Sequence, residues 1–230
     1  MTKVLIPTAS AKDWKNLLAN PEKQWKVGYS AHATAHSWEA SISKGFPPEV
    51  KKALPTDLQD LKLIFAIPEY KSPPLPGGSK CSQTDVMALA RNKNELAVIA
   101  VEGKVDEQFG PTLDQQRKVS KGLNERIKFL HELFSPLKLK GSIRYQLLHR
   151  TASALLIARE FHAKSAIMLV QSFSTKEKWF KDFQAFVELF KKKAEIGRSI
   201  SVGEFGLEKT QLFLGWCKGD PKFLTSQDTK

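Results

Sequence analysis

The stretch SQTDVMALA at residues 82–90, the polar RNKNE at 91–95 and LAVIAVEGKV at 96–105 decide the fold. Two short apolar runs around a polar turn read as a β-hairpin. If 92–95 form a four-residue loop, Arg91 faces Leu96, and a two-residue loop at Lys93-Asn94 gives the same pairing. Counting along both strands from that pair sets Asp85 opposite Glu102. Side chains alternate along a strand, so Lys104 shares the face of Glu102. Directly opposed Cβ atoms lie about 4.5–5.5 Å apart, where like charges are destabilising. A divalent cation would give such a pair a purpose. Mg²⁺ takes oxygen ligands and is often held by one or two carboxylates plus substrate phosphate. The Lys104 ammonium would then orient or activate a water and offset anionic charge. An odd-length loop would break this opposition. Glu-x-Lys by itself is a common solvated strand pattern, but here the strand is apolar almost to its end. The intervening Gly103 is of the kind that lets a ligand or another backbone approach closely.

The flanks extend this hairpin into an α/β domain. Residues 61–67 read as a strand, and the proline- and glycine-rich run from Pro68 to Gly78, which includes Glu69, reads as a loop of restricted geometry. Upstream, residues 29–43 carry Ala31, Ala35, Trp38 and Ile42 at helical spacing, with Glu39 beside Trp38 at the core edge. Shorter helices are expected at 12–19 and 48–54. Downstream, the loop at 105–111 adds Glu107, read as a solvated carboxylate. Residues 113–134 look helical and basic, with a break at Ser135-Pro136. A stronger helix spans about 143–161, where Gln146 and Arg150 are four apart and share a face, with His149 next to it. The continuous apolar run at 166–173 suits a central strand covered on both faces. Trp179, Phe183, Phe186 and Phe190 form the core stripe of an amphipathic helix, and 211–217 reads as a last strand. The expectation is a single domain over 1–230: a mixed central sheet flanked by helices, core order α-β-β-β-α-β over about 29–173, and a C-terminal helix and strand extension at 174–230.

The net charge of +12 is spread along the chain and favours polyanionic partners. Cys81 and Cys217 fit neither a zinc pattern nor a disulfide framework and suit a reducing compartment. The N-terminal run lacks a secretory apolar segment, and no stretch reaches the length of a membrane span, so a cytoplasmic location away from membranes is expected. No phosphate-binding loop, dinucleotide fingerprint or nucleophile elbow is present. His32 and His36 share a helical face but lack a third ligand, so they read as a polar helix edge.

With acidic and basic residues at the ends of the second and third strands, this order resembles the PD-(D/E)XK phosphodiesterase superfamily, the restriction-endonuclease-like fold. The resemblance implies that Asp85 and Glu102-Gly103-Lys104 are the catalytic set. Asp85 and Glu102, with the Gly103 carbonyl, would bind Mg²⁺ or Mn²⁺, and Lys104 would act on the attacking water. An acid on the first core helix often assists in that superfamily, and Glu39 stands in that place. Gln146 is similar to the glutamine of a helix after the third strand, although Arg150 stands where a tyrosine is usual and Thr84 where a proline is usual. The runs at 76–78, 82–85, 101–107, 144–150 and 215–220, with Ser172-Phe173, are also similar to a bacterial protein family with no assigned activity. The implied function is a metal-dependent nuclease acting on nucleic acid, DNA before RNA, with a homodimer left open. A non-catalytic nucleic-acid-binding or accessory protein on the same fold is the alternative, and an enzyme of small phosphate esters a third reading.

Overall fold

The computed structural model describes residues 8–79, 81–117 and 122–227. Three antiparallel strands form a meander: β1 (Lys62–Ser72), β2 (Ser82–Arg91) and β3 (Leu96–Lys104). A parallel neighbour requires a long crossover. Helices α4 (Leu113–Arg117), α5 (Leu123–Leu133) and α6 (Tyr145–Glu160) supply it and lead to β4 (Ser165–Ser172), which runs parallel to β3. After α7 (Phe180–Glu188) the chain adds β5 (Arg198–Phe205) and β6 (Thr210–Lys218), with β6 parallel to β4 and β5 antiparallel to β6. The result is an α/β fold with a six-stranded mixed open sheet in the order β1-β2-β3-β4-β6-β5.

Alternation along the strands gives each face its own core. On one face Met87, Leu89, Val98, Ala100 and Met168 pack with Leu130 of α5, Leu148 and Ile157 of α6, and Phe186 of α7. On the other, Val86, Ala88, Ile99, Val101 and Ile167 pack with α2 (Ser30–Glu39), which follows the short α1 (Pro21–Gln24), through Ala35 and Trp38, and with α3 (Pro48–Ala53) through Val50 and Ala53. β4 is buried at every residue, as expected of a central strand covered twice. Truncating a core side chain such as Ile99 to alanine costs ~2–5 kcal/mol at sites of this kind.

The anticipated hairpin register is the observed one, from Arg91↔Leu96 to Val86↔Val101. Beyond Val86 the β2–β3 ladder stops, whereas β2 stays paired with β1 as far as Ser72↔Ser82 and β3 stays paired with β4 as far as Lys104↔Ser172. The two strands therefore part at one end of the sheet. Several boundaries differ from the sequence reading. β1 runs on through Pro68, which an edge strand tolerates because one side of it needs no donor. Within the stretch expected as one helix over 113–134, the described residues form α4 and α5. The expected C-terminal extension supplies two strands of the same sheet, with β6 seated against β4. No helix among the described residues is long and apolar enough to cross a membrane.

A charged candidate site where two strands part

Glu102 sits near the end of β3 at only 4% exposure. Its Oε1 accepts hydrogen bonds from Lys104 Nζ and Gln146 Nε2, both at 2.7 Å, and its Oε2 accepts from Arg150 Nε at 2.6 Å. The buried positions Leu147, Leu148, Ala152 and Leu155 fix α6 on the sheet. That seating carries Gln146 and Arg150, one turn apart, over the strand ends. Burial alone would raise the pKa of Glu102, but the charges of Arg150 and Lys104 outweigh it and hold the carboxyl at about 2. Burial would likewise lower the Lys104 pKa, yet Glu102 and Asp85 raise it, so the ammonium is kept. Lys104 Nζ also lies 5.2 Å from the centre of the Phe109 ring. Arg150 reaches further, donating from Nη1 to Ser82 Oγ at 2.6 Å.

Asp85 stands one position past the last β2–β3 pair, on the face it shares with Met87 and Leu89. Because β2 has left β3 there, its Oδ2 takes the place of a ladder carbonyl and accepts the Gly103 N–H at 2.8 Å. Burial and the neighbouring Glu102 charge raise its pKa to about 7, against the pull of Arg150, Lys104 and that N–H.

A third carboxylate belongs to the group. Glu69 lies within β1, and the pairs Pro68↔Val86 and Tyr70↔Thr84 bracket Asp85, so Glu69 faces it. Its backbone is left-handed, with φ 52°, a conformation that costs a non-glycine residue of order 1 kcal/mol or more. Burial, then Asp85, then Glu102 push its pKa up to about 9, with Arg150 and a hydrogen bond from Gln83 opposing. Reading Pro68 as the start of a loop hid this residue. Carrying the β1 register past the proline would have found it.

Not every expected residue joins the cluster. Glu39 does not. Its Oε1 accepts from Thr8 Oγ1 and Trp14 Nε1, both at 2.7 Å, on the helix that packs against the opposite face. Burying Trp38 turns the next side chain toward the N-terminal segment. Gly103 answers to the close approach of α2, since any side chain there would collide with Thr34 Oγ1. Glu107, read as solvated, instead accepts the backbone N–H of Ser30 at 3.0 Å and of Val105 at 2.8 Å.

The model of one protein family, described as a domain of unknown function, DUF6946, matches residues 7–221. The chain belongs to this DUF6946 family. The match includes every residue of the cluster, so the parted strands and α6 are part of the DUF6946 domain itself. Searches of curated proteins and of solved structures return no match.

The donor set of this DUF6946 chain suits a hard cation in its chemistry. Glu69, Asp85 and Glu102 offer only oxygen, and burial, then the charge of neighbouring carboxylates, raises the pKa values of Asp85 and Glu69, an effect a bound cation would offset. Among the described residues no three Asp, Glu, His or Cys side chains form a ready-made cage. Mg²⁺ does not require one when it shares phosphate oxygens and keeps its waters.

Proposed function

We propose that this chain is a restriction-endonuclease-like, Mg²⁺- or Mn²⁺-dependent phosphodiesterase that hydrolyses nucleic acid, DNA in preference to RNA. One observation carries the reading: Asp85, Glu102 and Lys104 share one face where β2 and β3 part, with Arg150 and Gln146 brought over them by α6. The order of meander, crossover helix and parallel strand supports the restriction-endonuclease-like fold at the level of topology. The +12 charge supports a polyanionic substrate. Free Cys81 and Cys217 support a cytoplasmic location.

Asp85 and Glu69, with Glu102 beside them, would hold the cation. When bound it would polarise a phosphate oxygen and lower the pKa of a coordinated water. The chain's own residues do the rest. Lys104 Nζ, pinned by Glu102, offers its remaining protons to the charge that grows on phosphate as water attacks phosphorus and the ester P–O bond breaks. Arg150 uses Nε on Glu102 and Nη1 on Ser82, which leaves Nη2 for a phosphate oxygen. Gln146 fixes the orientation of Glu102. The proton lost by water ends on the departing oxygen.

The test is to incubate the purified chain with linear, nicked, single-stranded and branched DNA, and with RNA, in Mg²⁺, Mn²⁺ or chelator. Cation-dependent cleavage is expected, with Lys104→Ala slower by ~100-fold or more. Cleavage that survives Glu102→Ala or Lys104→Ala rejects these roles. The full engagement of both Glu102 oxygens favours a second reading, a non-catalytic nucleic-acid-binding protein. That reading predicts salt-sensitive binding that chelator does not alter, with no hydrolysis of any substrate.

A further inference from the structure

Beside the carboxylate cluster lies an open pocket of about 560 Å³, lined in part by Gly78, Ser79, Ser82, Arg126, Tyr145 and His149. Its volume falls within the range of small-ligand sites, about 300–1,000 Å³. Two features make it continuous with the proposed reaction centre. Ser82 belongs to its wall and also accepts from Arg150. Tyr145 and His149 occupy the stripe of α6 next to that of Gln146 and Arg150.

The wall holds a guanidinium in a fixed place. Arg126 donates from Nε to the Pro76 carbonyl and from Nη1 to the Tyr145 hydroxyl, both at 3.3 Å. Those bonds use two of its five N–H donors and leave the outer edge of the fork. Three glycines permit this arrangement. Gly77, at φ +77°, lies back to back with Gly122 at the start of α5, and a Cβ on either would strike the other's carbonyl. A side chain at Gly78 would strike the Arg126 guanidinium itself. The His149 ring stacks flat on Tyr145, with centroids 5.6 Å apart and planes 8° apart. Burial and the nearby Arg150 keep that imidazole neutral, so the positive charge of this wall is the guanidinium's.

We propose that this pocket is a phosphate-ester subsite, which holds the phosphate of the nucleotide flanking the one being cleaved on the free edge of the Arg126 fork, with the Ser79 and Ser82 hydroxyls at its sides. The inference rests on the phosphodiesterase reading for its substrate. The phosphate is either an internal diester or a terminal monoester, and the two share this chemistry.

Binding measured in chelator separates the subsite from the reaction. Single-stranded oligonucleotides with phosphate or hydroxyl ends are titrated against the wild type and Arg126→Gln, and inorganic phosphate serves as competitor. A loss of affinity of roughly tenfold is expected from one charged hydrogen-bonding contact. Equal loss for both kinds of end assigns an internal diester, and loss confined to phosphorylated ends assigns a terminal monoester. A readout on the wild type guards against a variant that fails to fold. Cys81 is exposed in the same pocket while Cys217 is buried, so a thiol reagent reports on Cys81. Oligonucleotide should slow that modification. Unchanged affinity in Arg126→Gln together with an unprotected Cys81 overturns the subsite, even where cleavage depends on Glu102 and Lys104. Protection and Arg126-dependent binding without any cleavage keep the subsite and sink the phosphodiesterase reading.

Discussion

The sheet carries two hydrogen-bonded polar clusters on opposite faces, one strand apart. On the α2 face, Gln171 of β4 accepts from Trp38 Nε1 at 3.2 Å and donates to Ser37 Oγ at 3.1 Å and Glu49 Oε1 at 2.8 Å, while Ser37 Oγ donates to the same Glu49 oxygen at 2.8 Å. Donors and acceptors there are matched, around one carboxylate. On the α6 face, Glu102 is as well satisfied by Lys104 and Arg150, but the carboxyl groups of Asp85 and Glu69 stand in its field, and burial together with that field raises both of their pKa values. The register pairs Gly103 with Gln171, so the two clusters are neighbours in the sheet. A satisfied network rigidifies a core. An unbalanced one costs stability and persists where chemistry needs it. The comparison separates scaffold from candidate site.

Glu102→Ala should break the comparison most strongly. It strands Lys104 and Arg150 as buried charges, and denaturant unfolding should show a loss of ~3–5 kcal/mol along with abolished cleavage. Lys104→Met should reduce the cleavage rate by ~100–1,000-fold, measured under single-turnover conditions, with the fold retained by circular dichroism.

The unbalanced side should also titrate. Asp85 rises from an ordinary 3.8 to about 7 and Glu69 from 4.5 to about 9. Between those limits the folded chain keeps protons that the unfolded chain has lost, so stability contributed by these groups falls as pH rises. Glu102, held at about 2, contributes in the opposite sense, and its share is lost only as pH drops from 4.5 toward 2. Thermal melting in chelator should therefore decline from about pH 5 to pH 9, and Mg²⁺ should flatten the decline by stabilising the ionised carboxylates. A melting temperature independent of pH over that range, with or without Mg²⁺, would remove the charge imbalance from the account.

Gln171→Ala sharpens the contrast from the scaffold side. It leaves Trp38 Nε1 without its acceptor and should cost ~1–3 kcal/mol with the cleavage rate per folded molecule unchanged. Glu39→Gln is the smallest effect. The amide oxygen still accepts from Trp14 and Thr8, so stability should move by less than ~1 kcal/mol and cleavage should not move.

The edge where β2 and β3 part was legible in the sequence where local rules determine position. The hairpin register survived uncertainty in its loop because both even loop lengths give the same pairing, and Asn92 caps the turn by accepting the N–H groups of Asn94 and Glu95. The i, i+4 spacing of Gln146 and Arg150 placed both on Glu102 once α6 docked. What escaped depends on longer-range contacts. Glu69 follows a proline that reads as the end of a strand, so its place opposite Asp85 shows only in the register of β1 against β2. The direction of Glu39 is set by Trp14, twenty-five residues away. Strand β5, RSISVGEF, is a half-exposed edge with four polar or charged side chains, so it offered no apolar run to read.

Calorimetric titration of Mn²⁺ at pH 7, in two buffers of different ionisation enthalpy, most directly tests whether the crowded carboxylates are there to take a cation. The account predicts binding coupled to proton release in the wild type, and loss of both in Asp85→Asn. Absence of binding, or binding that Asp85→Asn leaves intact, would contradict it.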